Sequence, residues 1–427
     1  MAQPVFKRVG MIQGRNQWFG LCALVLSLSI IYLDKTIVPV ALVSIQKDFQ
    51  INDLALQWCV NAYLLSTAIF VLVAGKLSDQ IGHKSALLLG VAAVSIASVL
   101  CAISPNISCL IAARAIKGLG AAFILTSQPA LIGCIFPPNK VGRAMGLNTS
   151  ISSLFMIFGP LIGGYLVDFI SWRWIFWINL PISVFSTMIA LRFIPKTPLA
   201  QTREEHPFLD RALFKNPRFI AICVLIGTSQ FVLMINVYRA IYFQTVLEYS
   251  ASEVGLILFF SCAPVLFSSQ IAGVLYDKTN PKIPVGLGFM FLIYSFLSMA
   301  LFPTSPWIIF PIIAFGIGLP LILVPSHSAI FGIIPPNKLG AAFGTLGTLR
   351  AFSATLGVAM IAWFENSMQN HYLISFPEKV SKIMSYSAVH FALTSLLVLE
   401  FIAIYFFENN LLKNHDLRLS STPSKVE

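Results

Sequence analysis

Twelve long apolar stretches recur along this 427-residue chain, and they constrain its fold more than any other feature. Each is long enough for an α-helix to cross a bilayer, which takes about 20 residues. No stretch alternates polar and apolar residues over ten positions, as a membrane β-strand would. The chain is 11% charged, whereas a soluble protein has about 25% charged residues. We therefore predict an all-α membrane protein, with helices near residues 18–44, 54–75, 85–104, 107–133, 144–168, 173–194, 219–245, 254–275, 284–303, 306–332, 341–363 and 385–407.

The basic residues predict the orientation of these helices. With the N-terminus in the cytoplasm, nineteen of the 28 Lys and Arg residues fall in inner segments and four in outer segments. Cytoplasmic loops carry such an excess, so both termini are predicted to be cytoplasmic. The net charge of +11 is dispersed among loops, which argues against a nucleic-acid partner. The first apolar stretch is too long for the core of a cleavable signal peptide, so we interpret it as the first transmembrane helix.

The chain also contains an internal repeat. At an offset of 198, GKLSD lies over GVLYD, GLGAAFIL over GIGLPLIL, and FPPNKVGRAMG over IPPNKLGAAFG. We predict two pseudo-symmetric six-helix bundles: residues 1–194, and residues 219–427 with a short cytoplasmic tail. A cytoplasmic linker, 195–218, joins them. Parallel repeats in transporters place the binding site between the halves, which rock against each other.

Four motifs resemble those of the major facilitator superfamily, and within it the drug:proton antiporters. The motifs are LDKTIVPVAL (33–42), GKLSDQIGHKSALL (75–88), LIAARAIKGLGAA (110–122) and FGPLIGGYL (158–166). The first resembles a branch that usually has fourteen helices, whereas twelve fit here. The resemblance covers nearly the whole chain. It implies the major facilitator fold, alternating access and a bacterial inner membrane.

The resemblance also implies roles for two groups of residues. The loop between helices 2 and 3 and its repeat would form a latch that holds one conformation. Glycines and a proline in helix 5 would form the antiporter motif, a tightly packed seam that limits leakage; small residues permit close helix contact in lipid. The latch residues are Gly75, Asp79, Lys84, Gly273 and Asp277, and the motif residues are Gly159, Pro160, Gly163 and Gly164.

Asp34 is the strongest candidate for proton coupling. A charge in the middle of an apolar span is costly, and such a residue is usually functional. Arg114 lies near the middle of helix 4, and the superfamily places helices 1 and 4 at the central cavity. Burial favours the protonated acid, whereas a nearby guanidinium favours the carboxylate. An acid balanced in this way can exchange a proton for a cargo; the alternative is a static ion pair that joins two helices.

Polar residues of other helices complete the predicted substrate cavity. His327 titrates near neutral pH in water, so it is a second candidate for proton coupling, with a packed core histidine as the alternative. Lys117 stands where the superfamily usually has glutamine. The predicted cavity residues are Asp34, Arg114, Lys117, Gln230, Asn236, Arg239, Tyr242, Ser326 and His327.

These residues predict a proton-coupled exporter of small amphipathic molecules such as a drug, a metabolite or a siderophore. The excess of basic over acidic residues in the spans favours an anionic or zwitterionic cargo. Uptake of a small organic anion or nutrient is one alternative, and a transport-inactive receptor or assembly factor is another. No nucleotide-binding or hydrolase motif and no metal-ligand spacing is present, so we expect no enzyme activity, cofactor or metal. The expected partners are the cargo, protons and lipid, and we expect a monomer.

Overall fold

The computed structural model describes residues 15–195, 213–279, 282–334 and 339–407. Within these ranges the chain is helical, with short connections. A 3₁₀ turn covers Leu213–Lys215. The α-helices are α1 (Arg15–Phe49), α2 (Asp53–Ile81), α3 (His83–Ala102), α4 (Ile107–Ile135), α5 (Pro138–Phe169), α6 (Trp174–Trp177), α7 (Asn179–Phe193), α8 (Pro217–Leu233), α9 (Ile235–Thr245), α10 (Ala251–Cys262), α11 (Pro264–Lys278), α12 (Lys282–Leu301), α13 (Ile309–Ile333), α14 (Leu339–Leu373) and α15 (Glu378–Phe407).

Twelve helical segments of the described chain are long and apolar enough to cross a membrane, which confirms the predicted fold class. Nine of the segments lie within a single helix. The other three consist of two consecutive helices, α6 with α7, α8 with α9 and α10 with α11, separated at Ile178, Met234 and Ala263. Each of the three separating residues keeps a right-handed helical backbone, so each span continues through its break.

Short polar residues and one glycine determine where the first helices begin. The side chain of Asn52 accepts a hydrogen bond from the Ala55 amide at the start of α2, and Asn106 accepts one from Cys109 at the start of α4. Asparagine is favoured at this position because it satisfies an amide that has no partner in the helix. Gly82 separates α2 from α3 at φ 86°, a conformation that glycine adopts without steric cost.

The chain divides into two compact units. Unit 1 comprises Met1–His206, Met234–Phe259 and Gly347–Ala359, and unit 2 comprises Pro207–Leu233, Phe260–Leu346 and Met360–Glu427. In unit 1, α1 packs against α5 and α7, and α4 packs against α2 and α3; in unit 2, α12 packs against α13 and α15. The division predicted from the sequence, with its linker at 195–218, remains a prediction. Most of that linker and the C-terminal tail lie outside the described residues.

Two glycines form the crossing of α3 and α4 in unit 1. A Cβ added at Gly90 would lie 2.8 Å from the carbonyl oxygen of Gly120, and one added at Gly120 would lie 2.8 Å from that of Gly90. Gly288 and Gly318 form the same reciprocal contact between α12 and α13 in unit 2, again at 2.8 Å. The second pair follows the first by the repeat offset of 198.

A second glycine contact recurs at the same offset. A Cβ at Gly118 would collide with the carbonyl oxygen of Tyr63, and one at Gly316 would collide with that of Ser261. Tyr63 and Ser261 are also 198 residues apart. The sequence repeat therefore corresponds to equivalent backbone contacts, made separately inside each unit.

We expect Gly90→Val to destabilise the protein by about 1–3 kcal/mol, the usual cost of an overpacked core position. The added side chain has no space because backbone atoms of α4 lie against Gly90. The matched control is Gly133→Val on α4, because no atom lies within 4 Å of a Cβ added there. Thermal unfolding of the purified proteins checks the prediction, and equal midpoints for the two variants would contradict it.

Candidate functional site

The central feature of unit 1 is an ion cluster formed by α1 and α4. Asp34 is 1% exposed, Arg114 is 2% exposed and Lys117 is 1% exposed. Arg114 Nη1 donates to Asp34 Oδ2, and Lys117 Nζ donates to Asp34 Oδ1. Both carboxylate oxygens therefore have a cationic partner, and two basic side chains share one acid.

Neighbouring groups hold Arg114 in place. Its Nε atom donates a 2.8 Å hydrogen bond to the carbonyl oxygen of Cys59 on α2. Its guanidinium carbon lies 4.6 Å from the centre of the Tyr63 ring, also on α2. Guanidinium groups are attracted to the faces of aromatic rings. The arginine of α4 therefore contacts α2 as well as α1.

Lys117 is held in a similar way. Its Nζ atom lies 5.2 Å from the centre of the Phe176 ring on α6. Arg114 and Lys117 are three residues apart, a spacing that places both on one face of α4. The sequence prediction that Asp34 meets Arg114 agrees with this geometry, but the direct contact between Lys117 and Asp34 was missed. The helical spacing was the signal that could have revealed it.

The other predicted cavity residues of unit 1 lie together on α9. Arg239 is fully buried, and its Nη1 atom lies 3.4 Å from Asn236 Oδ1. Tyr242 is also buried, one turn further along the helix. Asn236 and Arg239 therefore share one face of α9.

Three predicted cavity residues belong to unit 2. Gln230 is buried on α8. On α13, Ser326 donates a 2.7 Å hydrogen bond to the Ile322 carbonyl, and His327 Nδ1 lies 2.7 Å from the Leu323 oxygen. Both contacts are made to the preceding turn of the same helix. The role of His327 in proton coupling remains a prediction.

The predicted latch residues of unit 1 lie where α2 meets α3. Asp79 is exposed and lies 3.4 Å from the Nε2 atom of His83. Lys84 donates hydrogen bonds of 2.9 and 2.6 Å to the carbonyl oxygens of Leu191 and Ile194. Lysine is favourable there because the last carbonyls of a helix carry partial negative charge. The latch segment therefore already contacts the end of α7.

The latch glycines are not at close helix contacts. A Cβ added at Gly75 would meet its nearest neighbour, Thr126, at 3.8 Å, and nothing lies within 4 Å of a Cβ at Gly273. Asp277 is exposed near the end of α11. The latch role of these residues remains a prediction.

The glycines of the predicted helix-5 motif pack α5 against α1. A Cβ added at Gly159 would collide with the Thr36 side chain, and one added at Gly163 would lie 2.6 Å from Ile37 Cγ1. The two glycines are four residues apart and therefore share one face of α5. The missing side chains permit the close approach of the two helices.

The adjacent face of α5 packs against α10. A Cβ added at Gly164 would lie 2.8 Å from the Cα of Ser252, and Gly255 packs in the same way against the carbonyl group of Pro160. One residue was missed in the sequence: Asp168, whose carboxylate accepts hydrogen bonds of 3.1 and 2.7 Å from the amides of Ala251 and Ser252. An acid at a helix N-terminus accepts hydrogen bonds from amides that have no partner in the helix, and its negative charge is stabilised by the positive end of the helix dipole. Asp168 therefore joins the end of α5 to the start of α10.

Comparisons with known proteins agree with this architecture. The family model for the Major Facilitator Superfamily matches residues 24–358. The chain is 26% identical over 404 residues to the riboflavin transporter RibZ of Clostridioides difficile, covering 82% of this chain and 88% of that protein. It is 27% identical over 432 residues to the multidrug resistance protein Stp of Mycobacterium tuberculosis, covering 86% and 80%.

A solved structure shows the same fold. It is a bacterial homologue of the human lysosomal transporter Spinster, which matches with a TM-score of 0.76 and 17% identity. The match covers 94% of this chain and 98% of that one. A family match over most of the chain, joined to twelve candidate spans, establishes the class of protein. The chain belongs to the Major Facilitator Superfamily and is a multi-pass membrane transporter of small molecules, not an enzyme.

Proposed function

We propose that this protein exports small amphipathic molecules from the cytoplasm in exchange for protons, by alternating access. The observation that carries the proposal is the buried Asp34 carboxylate between Arg114 and Lys117. A buried charge is tolerated where its partners compensate for lost hydration. Protonation of Asp34 removes the negative charge that both cations require. The cluster therefore favours one helix arrangement when Asp34 is charged and another when it is neutral.

The contacts of the cluster supply a route from protonation to helix movement. Arg114 and Lys117 lie on α4, which packs against both α2 and α3. When Asp34 becomes neutral, the two cations repel each other without compensation. We infer that α4 then shifts relative to α1. We also infer that a bound cargo changes the electric field at Asp34 and thereby alters the affinity of Asp34 for a proton. Such reciprocity between two ligands is required by linkage.

Two observations favour export. The helix-5 glycines and Asp168 join α5 to α1 and α10 through contacts with the backbone, as the predicted antiporter seam requires. One relative is named a multidrug resistance protein. The seam suits an antiporter, and the relative's name suits removal of a drug from the cell.

Uptake of a small organic anion or nutrient is the second candidate. It is favoured by the excess of basic residues in unit 1, where Lys35, Arg114, Lys117, Arg239 and Arg350 lie in spans. A relative named a riboflavin transporter is also consistent with it. A transport-inactive receptor on the same fold is the third candidate, and the paired ions at Asp34 argue against it.

The proposed setting is a bacterial inner membrane, with both termini in the cytoplasm and the protein as a monomer. The bias of basic residues towards one side supports this orientation, and the relatives above come from bacteria. Both termini lie outside the described residues. Within this proposal, the latch at Asp79 and Lys84 and the second proton site at His327 are further components.

Transport by bacterial cells that produce the protein tests the direction of movement. Three fluorescent probes cover the charge classes: ethidium as a cation, riboflavin as a neutral molecule and 2-naphthoate as an anion. We expect producing cells to accumulate less of at least one probe than cells without the protein. The difference should disappear when a protonophore collapses the proton gradient. Higher accumulation would support uptake instead, and a difference that persists without the gradient would contradict proton coupling.

A further inference from the structure

Unit 2 contains a cavity of its own, whereas the Asp34 cluster belongs to unit 1. The cavity lies between α8, α12, α13 and α15 and has a volume of ≈ 550 Å³, including the open space at its mouth. Ile222 and Leu225 on α8 are buried in its wall, whereas Phe401 on α15 is half-buried and Tyr405 is exposed. The cavity is therefore largely apolar, and it is more open towards α15 than towards α8.

The two helices at the open side of the cavity face lipid. Helix α12 packs against α15, and the outer surfaces of both helices carry exposed apolar side chains, among them Leu287, Met290, Leu399 and Ile402. In a helix that crosses a membrane, such a surface contacts the hydrocarbon chains of the lipids, which are as apolar as leucine. Lipid chains therefore lie beside the open side of the cavity.

Lys282 gives the cavity wall a positive charge at the membrane surface. It is the first residue of α12 and is half-buried, and Tyr405 lies two residues before the end of α15 at Phe407. The proposed orientation places both helix ends at the cytoplasmic leaflet, where basic side chains attract anionic phospholipids. No acidic residue lines the cavity within the described chain; Glu400 precedes Phe401 but is buried outside the lining.

The internal repeat indicates why unit 2 has unfilled space at this place. Ser326, which the sequence predicts for the substrate cavity, lines this cavity and donates its hydrogen bond to the preceding turn of α13. Its equivalent in unit 1 is Gln128, which is buried. Gln128 Nε2 donates hydrogen bonds of 2.8 and 2.9 Å to the Leu24 oxygen and to Ser27 Oγ. The longer side chain of unit 1 thus reaches α1, whereas serine in unit 2 leaves the corresponding space open.

Other lining positions show the same loss of volume. The side chain is smaller in unit 2 at four of them: Val285 for Leu87, Gly286 for Leu88, Ser326 for Gln128 and Ala329 for Leu131. Leu225 and Pro325 are larger than their equivalents, Ser27 and Ser127, and offset part of this loss. Unfilled apolar space destabilises a protein because its lining loses contacts, so a molecule that fills the cavity stabilises unit 2.

We propose that this cavity binds an acyl chain of an anionic phospholipid from the cytoplasmic leaflet, and that Lys282 binds the phosphate group of the same lipid. An apolar cavity suits a hydrocarbon chain, and a lysine at the membrane surface suits a phosphate. Lysine has three N–H donors, so Lys282 can bind a phosphate oxygen and keep its contacts within the protein. A lipid of this leaflet combines both groups and is present wherever the protein is.

Binding to the purified full-length protein in an uncharged detergent tests the site. The probes are radiolabelled dioleoylphosphatidylglycerol, which is anionic, and dioleoylphosphatidylcholine, which has the same chains and no net charge. Protein immobilised on scintillant beads reports the bound lipid. We expect saturable binding of phosphatidylglycerol, about ten-fold or more tighter than that of phosphatidylcholine, the effect of one hydrogen bond to a charged group. Equal affinities, or no saturable binding, would overturn the proposal.

Gly286→Leu tests the cavity itself. The nearest atom to a Cβ added at Gly286 is Phe401 Cε2 at 3.8 Å, an ordinary contact, so the rest of the leucine has the cavity to occupy. We expect phosphatidylglycerol to bind about ten-fold or more weakly. Ala329→Leu narrows the cavity from α13 and serves as the test where Gly286→Leu does not fold. Wild-type affinity in the folded variants would overturn the proposal.

The matched control for these variants is Gly332→Leu. Gly332 is exposed on α13, and no atom lies within 4 Å of a Cβ added there. Because Gly332 does not line the cavity, this variant should bind phosphatidylglycerol as the wild type does.

Lys282→Gln tests the charge. It should remove the preference for phosphatidylglycerol over phosphatidylcholine, and Lys282→Arg should keep it. A lysine with only a structural role would not change this preference, so a preference that survives Lys282→Gln would overturn the proposal. Lys140→Gln is the control, because it makes the same charge change at an exposed lysine of α5 on the proposed cytoplasmic side.

Competition distinguishes a lipid site from a cargo site. Displacement of phosphatidylglycerol by ethidium, riboflavin or 2-naphthoate would overturn the proposal, because the cavity would then bind the transported molecule. The inference does not depend on proton coupling, since binding in detergent requires no proton gradient. An Asp34→Asn variant should therefore keep the wild-type preference for phosphatidylglycerol, whatever happens to its transport.

Discussion

Liposomes that contain the Asp34→Asn variant are expected to show no proton-driven cargo movement above that of empty liposomes. An amide cannot bind and release a proton, so Arg114 and Lys117 would face a neutral group in every state. The probe that the wild type transports in cells serves as the cargo, and its movement is followed after an imposed pH gradient. Exchange of the probe without any gradient should persist in the variant, because it requires no proton transfer.

The same substitution also affects stability. Removal of one partner from a buried ion pair typically costs about 3–5 kcal/mol because the remaining charge is left without compensation. Asp34→Glu keeps a titratable acid at the site, and we expect it to restore part of the proton-driven movement. Glutamate therefore distinguishes loss of the proton site from loss of the folded protein.

Asp48→Asn is the matched control for this experiment. It makes the same chemical change on the same helix, at an exposed acid whose partner is Arg173 at 2.8 Å. Such exposed pairs contribute about 1 kcal/mol or less, so proton-driven movement should remain close to that of the wild type. Full coupling in Asp34→Asn, with the protein correctly inserted, would exclude Asp34 as the proton site.

Gly164→Leu is expected to make the protein leak protons. The added side chain would occupy the position of the Ala251 carbonyl group and the Ser252 Cα, so α5 and α10 would have to separate. Separation also weakens the hydrogen bonds that the first amides of α10 donate to the Asp168 carboxylate. A pH-sensitive dye inside liposomes measures the result as faster decay of an imposed pH gradient without cargo.

Gly146→Leu provides the control for packing on α5. No atom lies within 4 Å of a Cβ added at Gly146, so this variant should hold the gradient as well as the wild type. Asp168→Asn should leak less than Gly164→Leu, because it weakens the cap but leaves the close helix contact in place. Equal decay rates for Gly164→Leu and Gly146→Leu would show that the α5–α10 contact does not limit leakage.

The fold was predictable from the sequence because backbone groups in lipid can form hydrogen bonds only within the protein. No water reaches a segment in the hydrocarbon core of a bilayer, so its backbone N–H and C=O groups must form hydrogen bonds within the protein. Each long apolar stretch therefore predicts a helix. The breaks at Ile178 and Ala263 lie close to Pro181 and Pro264, and proline interrupts a helix because it has no amide hydrogen to donate. The break at Met234 has no proline near it in the sequence and could not be predicted. The glycines at the helix crossings recur in the sequence at the repeat offset. Their contact with each other could not be predicted, because it depends on how the two helices cross.

The candidate site was predictable in part. Asp34 and Arg114 were identifiable because an ion inside an apolar helix needs a compensating charge. The role of Asp168 was hidden because an acid at a helix end usually faces solvent, and its partners are 83 and 84 residues further along the chain.

The repeat offset of 198 has a consequence for the history of the molecule. The positions equivalent to Asp34, Arg114 and Lys117 in the second copy are Val232, Ile312 and Phe315, and all three are buried apolar residues. After a duplication, the two copies thus kept the same glycine contacts between helices. The side chains at these three positions diverged, being charged in the first copy and apolar in the second. A single charge introduced at one of these positions would be buried without a partner, so the charged triad could be rebuilt in the second copy only as a set.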